Sequence, residues 1–195
     1  MTPEQVGQLL KPINPRRVKQ LDGMSHLEAY DVRAHLIRIF GFGGWSSQLE
    51  DLALLFEQET TTKAGKPAYK VGYRATVALS IFPESSRYFV TTYTEAAAGE
   101  ALMPDFKRGD AHDMAIKTAE SQALKRCAVN LGDQFGLSLY NNGSQDALVG
   151  RTLAFPVRDD HRNLPTETAS ATDVDHHITE LSPEQQANLA TWGTP

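Results

Sequence analysis

Tyr69-Lys70-Val71-Gly72-Tyr73-Arg74-Ala75-Thr76-Val77-Ala78-Leu79-Ser80-Ile81 is the stretch on which the fold turns. Tyr69, Val71, Tyr73, Ala75, Val77, Leu79 and Ile81 share one parity. Lys70, Gly72, Arg74, Thr76, Ala78 and Ser80 share the other. Strict period-two alternation predicts a strand with one face in a core and one in water, as in an antiparallel sheet. On its N-terminal side, Lys63-Ala64-Gly65-Lys66-Pro67 reads as a turn. Before it, residues 45–59 read as a strand with apolar bulk from Leu49, Leu52, Leu54, Leu55 and Phe56. On its C-terminal side, Pro83-Glu84-Ser85-Ser86 turns the chain into a third strand over 87–94, carried by Tyr88, Phe89, Val90 and Tyr93. Three strands joined by short turns make a meander.

Helices flank this sheet. Residues 27–40 carry the apolar stripe Val32, Leu36, Ile39 and Phe40, and Gly41 ends it. Residues 95–109 read as a small-residue loop with Lys107 and Arg108 at its end. Asp110 then caps the longest helix, with Asp113 in its first turn, and the helix runs to about Leu131 before Gly132. Ile116, Ala119, Ala123, Cys127 and Leu131 fall on one face, and their small size lets the helix approach a sheet closely. Thr2-Pro3-Glu4-Gln5 opens a short helix with a capping box, and Arg16-Arg17-Val18-Lys19 follows as a basic arm. The predicted fold is α+β: a three-stranded antiparallel β-meander packed against a long α-helix, with flanking helices. Residues 1–25 form the N-terminal helix and arm, 26–142 the core, and 143–195 an acidic, mostly disordered tail with a short terminal helix near Leu189 and Trp192.

At 195 residues the chain supports one good core. Its single cysteine, Cys127, excludes an internal disulfide and a multi-cysteine zinc site and fits a reducing compartment. No signal-like apolar run opens the chain, and none reaches the roughly 18 residues of a membrane span, so a cytoplasmic protein without a membrane partner is expected. The net charge of −5 argues at first against nucleic acid. Up to Asn142, however, 16 basic residues balance 16 acidic ones, while the remainder holds 3 basic and 8 acidic. The excess lies in the tail, and a neutral core can still carry a local basic surface.

Catalytic chemistry finds little support. Thr62-Lys63-Ala64-Gly65-Lys66-Pro67 lacks the first glycine of a phosphate loop, places proline where a magnesium-binding hydroxyl belongs, and joins two strands. His176-His177 near Asp173 and Asp175 has no fixed geometry for a metal. His112-Asp113 are adjacent helix positions that do not face each other, and helix capping is the simpler role. No nucleophile–base set can be assembled, so neither enzyme activity nor a cofactor is expected. The cations offer more. Lys117, Ser121 and Lys125 form an i, i+4, i+8 row with Arg126 beside it. Lys107 and Arg108 precede that helix, and Lys70 and Arg74 lie on the strand's wet face. Such a set suits a groove that follows a phosphate backbone. Periodicity alone leaves a groove and a plain solvated face equally open.

The order of elements and three sequence blocks resemble the Rad52 family of single-strand annealing proteins. The blocks are Phe40-Gly41-Phe42-Gly43-Gly44-Trp45, Val71-Gly72-Tyr73-Arg74-Ala75-Thr76-Val77, and Lys117-Thr118-Ala119-Glu120-Ser121-Gln122-Ala123-Leu124-Lys125-Arg126. The resemblance covers residues 27–142 and looks like a short phage or bacterial member. It implies ATP-independent annealing of complementary single-stranded DNA by a ring-like homo-oligomer, with phosphates inward in a positive groove and bases outward. It maps groove cations onto Lys125 and Arg126. A family arginine one turn later is Val129 here. Another, on the helix before Phe40, falls at Asp31 by spacing, with Arg33 and Arg38 as the nearby substitutes. The expected DNA-binding residues are Lys125, Arg126, Lys117, Lys107, Arg108, Arg74, Lys70 and Arg33. The alternative is a ring-forming mediator that loads a recombinase or single-strand-binding protein through the tail.

Overall fold

The computed structural model describes residues 1–82 and 91–152. In chain order the elements are α1 (Pro3–Leu9), β1 (Lys19–Leu21), β2 (Met24–His26), α2 (Ala29–Phe40), β3 (Trp45–Thr61), β4 (Pro67–Ile81), β5 (Thr91–Pro104) and α3 (Arg108–Val129). β3, β4 and β5 form one antiparallel sheet with β4 in the centre. The fold is the α+β arrangement that the alternation at residues 69–81 predicts. Val71, Ala75, Val77, Leu79 and Ile81 of β4 are buried against the helices, while Arg74 is exposed on the opposite face.

Local chemistry explains the ends of several elements. Gln5 N donates to Thr2 Oγ1 at 3.2 Å, and Thr2 N donates back to Gln5 Oε1 at 2.8 Å, which completes the capping box. Gly65, at φ +74°, occupies the β3–β4 turn. The main helix departs from expectation at its start. It begins at Arg108 after Lys107, with no side-chain cap, so Asp110 lies in its first turn.

The third strand is a larger correction. It spans Thr91–Pro104, so residues 95–104, expected as loop, are ladder-paired strand from Glu95↔Val77 to Pro104↔Ala68. The expected Pro83–Ser86 turn and the start of that strand lie outside the described residues, as do the paired histidines and terminal helix of the tail. The glycine and alanine content of β5 reflects packing. Ala111, Ala115, Ala119, Ala123 and Cys127 form a fully buried row on α3, and Ile116 is only half-buried. A Cβ added to Gly99 would lie 2.3 Å from Ala119 N and 2.6 Å from Ala115 O. Helix backbone therefore rests directly on strand backbone.

α3 covers β4 and β5 and scarcely reaches β3. Register places Leu49, Leu52 and Leu54 opposite Val77, Ala75 and Tyr73, hence on the helix-side face. All three, part of the apolar bulk expected of this strand, are exposed.

The main core lies where α2 and the C-terminal half of α3 meet β4, around Leu36, Phe40, Leu79, Leu124 and Phe135. His35 packs edge-on to Phe135 with ring centroids 5.2 Å apart. Burial, helped by the nearby Arg17 guanidinium, pushes its imidazole down to about 4. The unfolded value is about 6.5, so the unfolded chain binds the extra proton between the two values, and stability is lost as pH falls through that window. After discounting for residual solvent access, about 1–2 kcal/mol is expected. The drop in thermal midpoint between pH 7 and pH 5 should be smaller in His35→Leu than in the wild type. An equal drop in both would refute this role.

Candidate nucleic-acid interface

β1 and β2 form a hairpin that the sequence reading missed. Leu21 pairs with Met24 across a two-residue turn, Asp22 (φ +49°) and Gly23 (φ +79°). Asp-Gly is a strong short-range hairpin signal and was available in the sequence. The preceding basic segment is not a free arm. Arg17 pairs with Asp31 at 2.8 Å and donates to the Gln134 carbonyl at 2.8 Å, with its side chain nearly buried. Gln134 in turn donates to the carbonyls of Lys11 and Pro12 at 3.0 and 2.6 Å. This lashing seats the N-terminal segment on the turn after α3.

A cleft of about 690 Å³ opens between the hairpin, the last turns of α3 and the segment 135–143. Lys125, Arg126 and Val129 line its helix side, and Met24, His26 and Tyr140 lie on its other walls. Lys125 is half-buried. Burial pushes its ammonium below the ordinary lysine value, and Glu28 opposes this. Among the described residues, no carboxylate lies within ion-pair distance of Lys125. A partly desolvated cation with no carboxylate in ion-pair contact favours an anionic visitor.

The other expected cations are all paired. Arg126 meets Glu95 at 3.4 Å. Lys117 meets Asp113 at 2.6 Å and lies two turns before Lys125. Arg33 meets Glu120 at 3.4 Å, Lys70 meets Glu100 at 3.0 Å, and Arg74 meets Asp51 at 2.9 Å. Lys107 lies 3.7 Å from Asp110, and Arg108 pairs with Glu57 and stacks 4.9 Å from the Tyr69 ring centroid. Of the eight, only Lys125 and Arg126 share the cleft. Lys70 and Arg74 occupy the sheet face away from α3, where Phe56 lies over Gly72. Lys107 and Arg108 stand at the far end of α3, about 26 Å away at 1.5 Å per residue. His112 is not a cap: it shares a 3.0 Å hydrogen bond with the Tyr73 hydroxyl and lies 3.5 Å from Glu57.

Of the two positions where the resemblance implies groove arginines, one is Val129 on α3 and the other is Asp31 on α2. Val129 occupies the cleft wall without supplying charge. Asp31 accepts Arg17, so an arginine does reach that neighbourhood, but it is neutralised there. Arg38 lies 3.5 Å from His35 Nδ1.

Residues 4–150 match the family model of Rad52/22 double-strand break repair proteins. The chain belongs to that family. It is 30% identical over 118 residues to the DNA repair and recombination protein rti1 of Schizosaccharomyces pombe, which covers 60% of this chain and 29% of the relative. It is also 30% identical over 104 residues to the DNA repair and recombination protein RAD52 of Candida glabrata, covering 53% of this chain and 18% of the relative. The chain therefore spans less than a third of the length of either. No described helix is long and apolar enough to cross a membrane.

Proposed function

We propose that this chain binds single-stranded DNA and anneals complementary strands in recombination and repair, without ATP or bond chemistry, as a ring-like homo-oligomer in a bacterial or phage-infected cytoplasm. The observation that carries the reading is Lys125, half-buried in the cleft with no carboxylate partner among the described residues, in a chain of the double-strand break repair family. Annealing requires two strands held extended with bases accessible, and backbone contacts meet that need regardless of sequence.

One cleft holds few nucleotides, so several copies in a row are needed. Leu49, Leu52 and Leu54 support self-association: they form an uncovered apolar strip on an edge strand, and such edges invite pairing or cover. Leu52→Glu combined with Leu54→Glu should give a smaller particle by native mass spectrometry with an unchanged circular dichroism spectrum. A particle of wild-type mass would remove this strip from the interface.

The second reading, a mediator that loads a recombinase or single-strand-binding protein, is favoured by the acidic excess after Asn142 and by Leu189 and Trp192. Truncation before residue 153 separates the two. It keeps Val149, whose N–H donates to buried Asp133 at 2.9 Å. The truncated protein should anneal bare complementary oligonucleotides at close to the full-length rate. Loss of annealing with binding retained would favour the mediator.

A further inference from the structure

Three large apolar side chains face the cleft and are left uncovered: Tyr140 is 72% exposed, Met24 68% and Leu21 61%. Tyr140 comes from the segment after α3, while the other two flank the Asp22-Gly23 turn of the hairpin. None is used by the core, and no described hydrogen bond holds the Tyr140 hydroxyl. The same cleft carries Lys125 and Arg126 on its helix wall. A site that presents a partly desolvated cation beside a flat aromatic ring and a flexible thioether suits an occupant with a negative group joined to a planar apolar one. Nucleotides have that form, and every base offers a face for stacking.

We infer that Tyr140, together with Met24 and Leu21 of the same cleft, is a nucleobase subsite that grips one base while Lys125 holds the adjoining phosphate. The inference rests on the single-strand reading above and adds a base contact to it. It gives each subunit a fixed stacking point and sets the register of the strand in the cleft. Because stacking is indifferent to base identity, the subsite adds affinity without sequence preference.

The test compares fluorescence anisotropy of a dT oligonucleotide with that of an abasic oligonucleotide of equal length. Tyr140→Ala should weaken dT binding about tenfold, leave abasic binding and the salt slope unchanged, and be rescued by Tyr140→Phe. Lys125→Ala should weaken both ligands and flatten the salt slope. If Lys125→Ala weakens both and Tyr140→Ala matches wild type on both, the base subsite is wrong while the phosphate reading stands. If Lys125→Ala changes neither, the phosphate reading fails, and a selective loss in Tyr140→Ala would still uphold the base contact. If Tyr140→Ala keeps full affinity for both oligonucleotides but loses a peptide of residues 173–195, the face serves an acidic peptide and the proposal is overturned. Wild-type protein gives an independent check. Photocrosslinking to 5-iodouracil DNA should label Tyr140 or Met24, and labelling confined to other surfaces would refute the subsite.

Discussion

Gly99→Ala is expected to cost about 3 kcal/mol, at the upper end of overpacking penalties, and Gly99→Val to leave little folded protein. The new Cβ would lie 2.3 Å from Ala119 N and 2.6 Å from Ala115 O. Those atoms belong to helix backbone in the middle of a buried alanine row, so no side-chain rotation relieves the clash. Relief requires α3 to lift from β5, which would also loosen Ala115 and Ala119 against the sheet. A loss of this size would lower the thermal midpoint by about 6–12 °C for a domain of this length. Gly109→Ala is the matched control. Nothing lies within 4 Å of its added Cβ, and the position is helical, so a slight gain of about 0.5 kcal/mol is expected. Equal midpoints for Gly99→Ala and wild type would refute the close-contact account.

The second large effect concerns binding. Lys125→Ala combined with Arg126→Ala should weaken single-strand DNA affinity by about a hundredfold while leaving the fold intact. Charge-assisted contacts contribute about 1.5–3 kcal/mol each, but the two residues do not contribute equally. Lys125 has no carboxylate to leave among the described residues, whereas Arg126 must exchange Glu95 for a phosphate. Most of the loss should therefore come from Lys125. Glu95→Gln should shift affinity the other way, because it frees Arg126. Arg126 is about half exposed and Lys125 lines the cleft outside the core cluster, so both substitutions leave the core untouched.

What could be read from the sequence was local. Alternation in β4, the Thr2–Gln5 capping box and the Gly65 turn each depend on neighbours within a few residues. The extent of β5 did not, because Ala97, Gly99 and Ala101 are small for the sake of α3, up to about twenty residues downstream, and the composition of the strand imitates a loop. The exposure of Leu49, Leu52 and Leu54 was hidden for a similar reason: period two assigns a face, but not whether a helix covers it. The cation set was legible as residue types but not as an electrostatic surface. Arg126–Glu95, Arg33–Glu120 and Arg108–Glu57 join positions far apart in sequence, and their pairing leaves Lys125 distinct. Arg17 reads as a basic arm from its neighbours, yet Asp31 and Gln134 hold it. The β1–β2 hairpin, by contrast, is legible through Asp22-Gly23.

The central claim is that Lys125 and Arg126 hold the phosphates of a single strand. A salt titration of single-strand DNA affinity tests it most directly, comparing wild type with the Lys125→Ala, Arg126→Ala double variant. The expected result is a lower affinity with the slope of log K against log salt reduced by about 1.4, at roughly 0.7 per phosphate contact. Superimposable titrations for the two proteins would contradict the account.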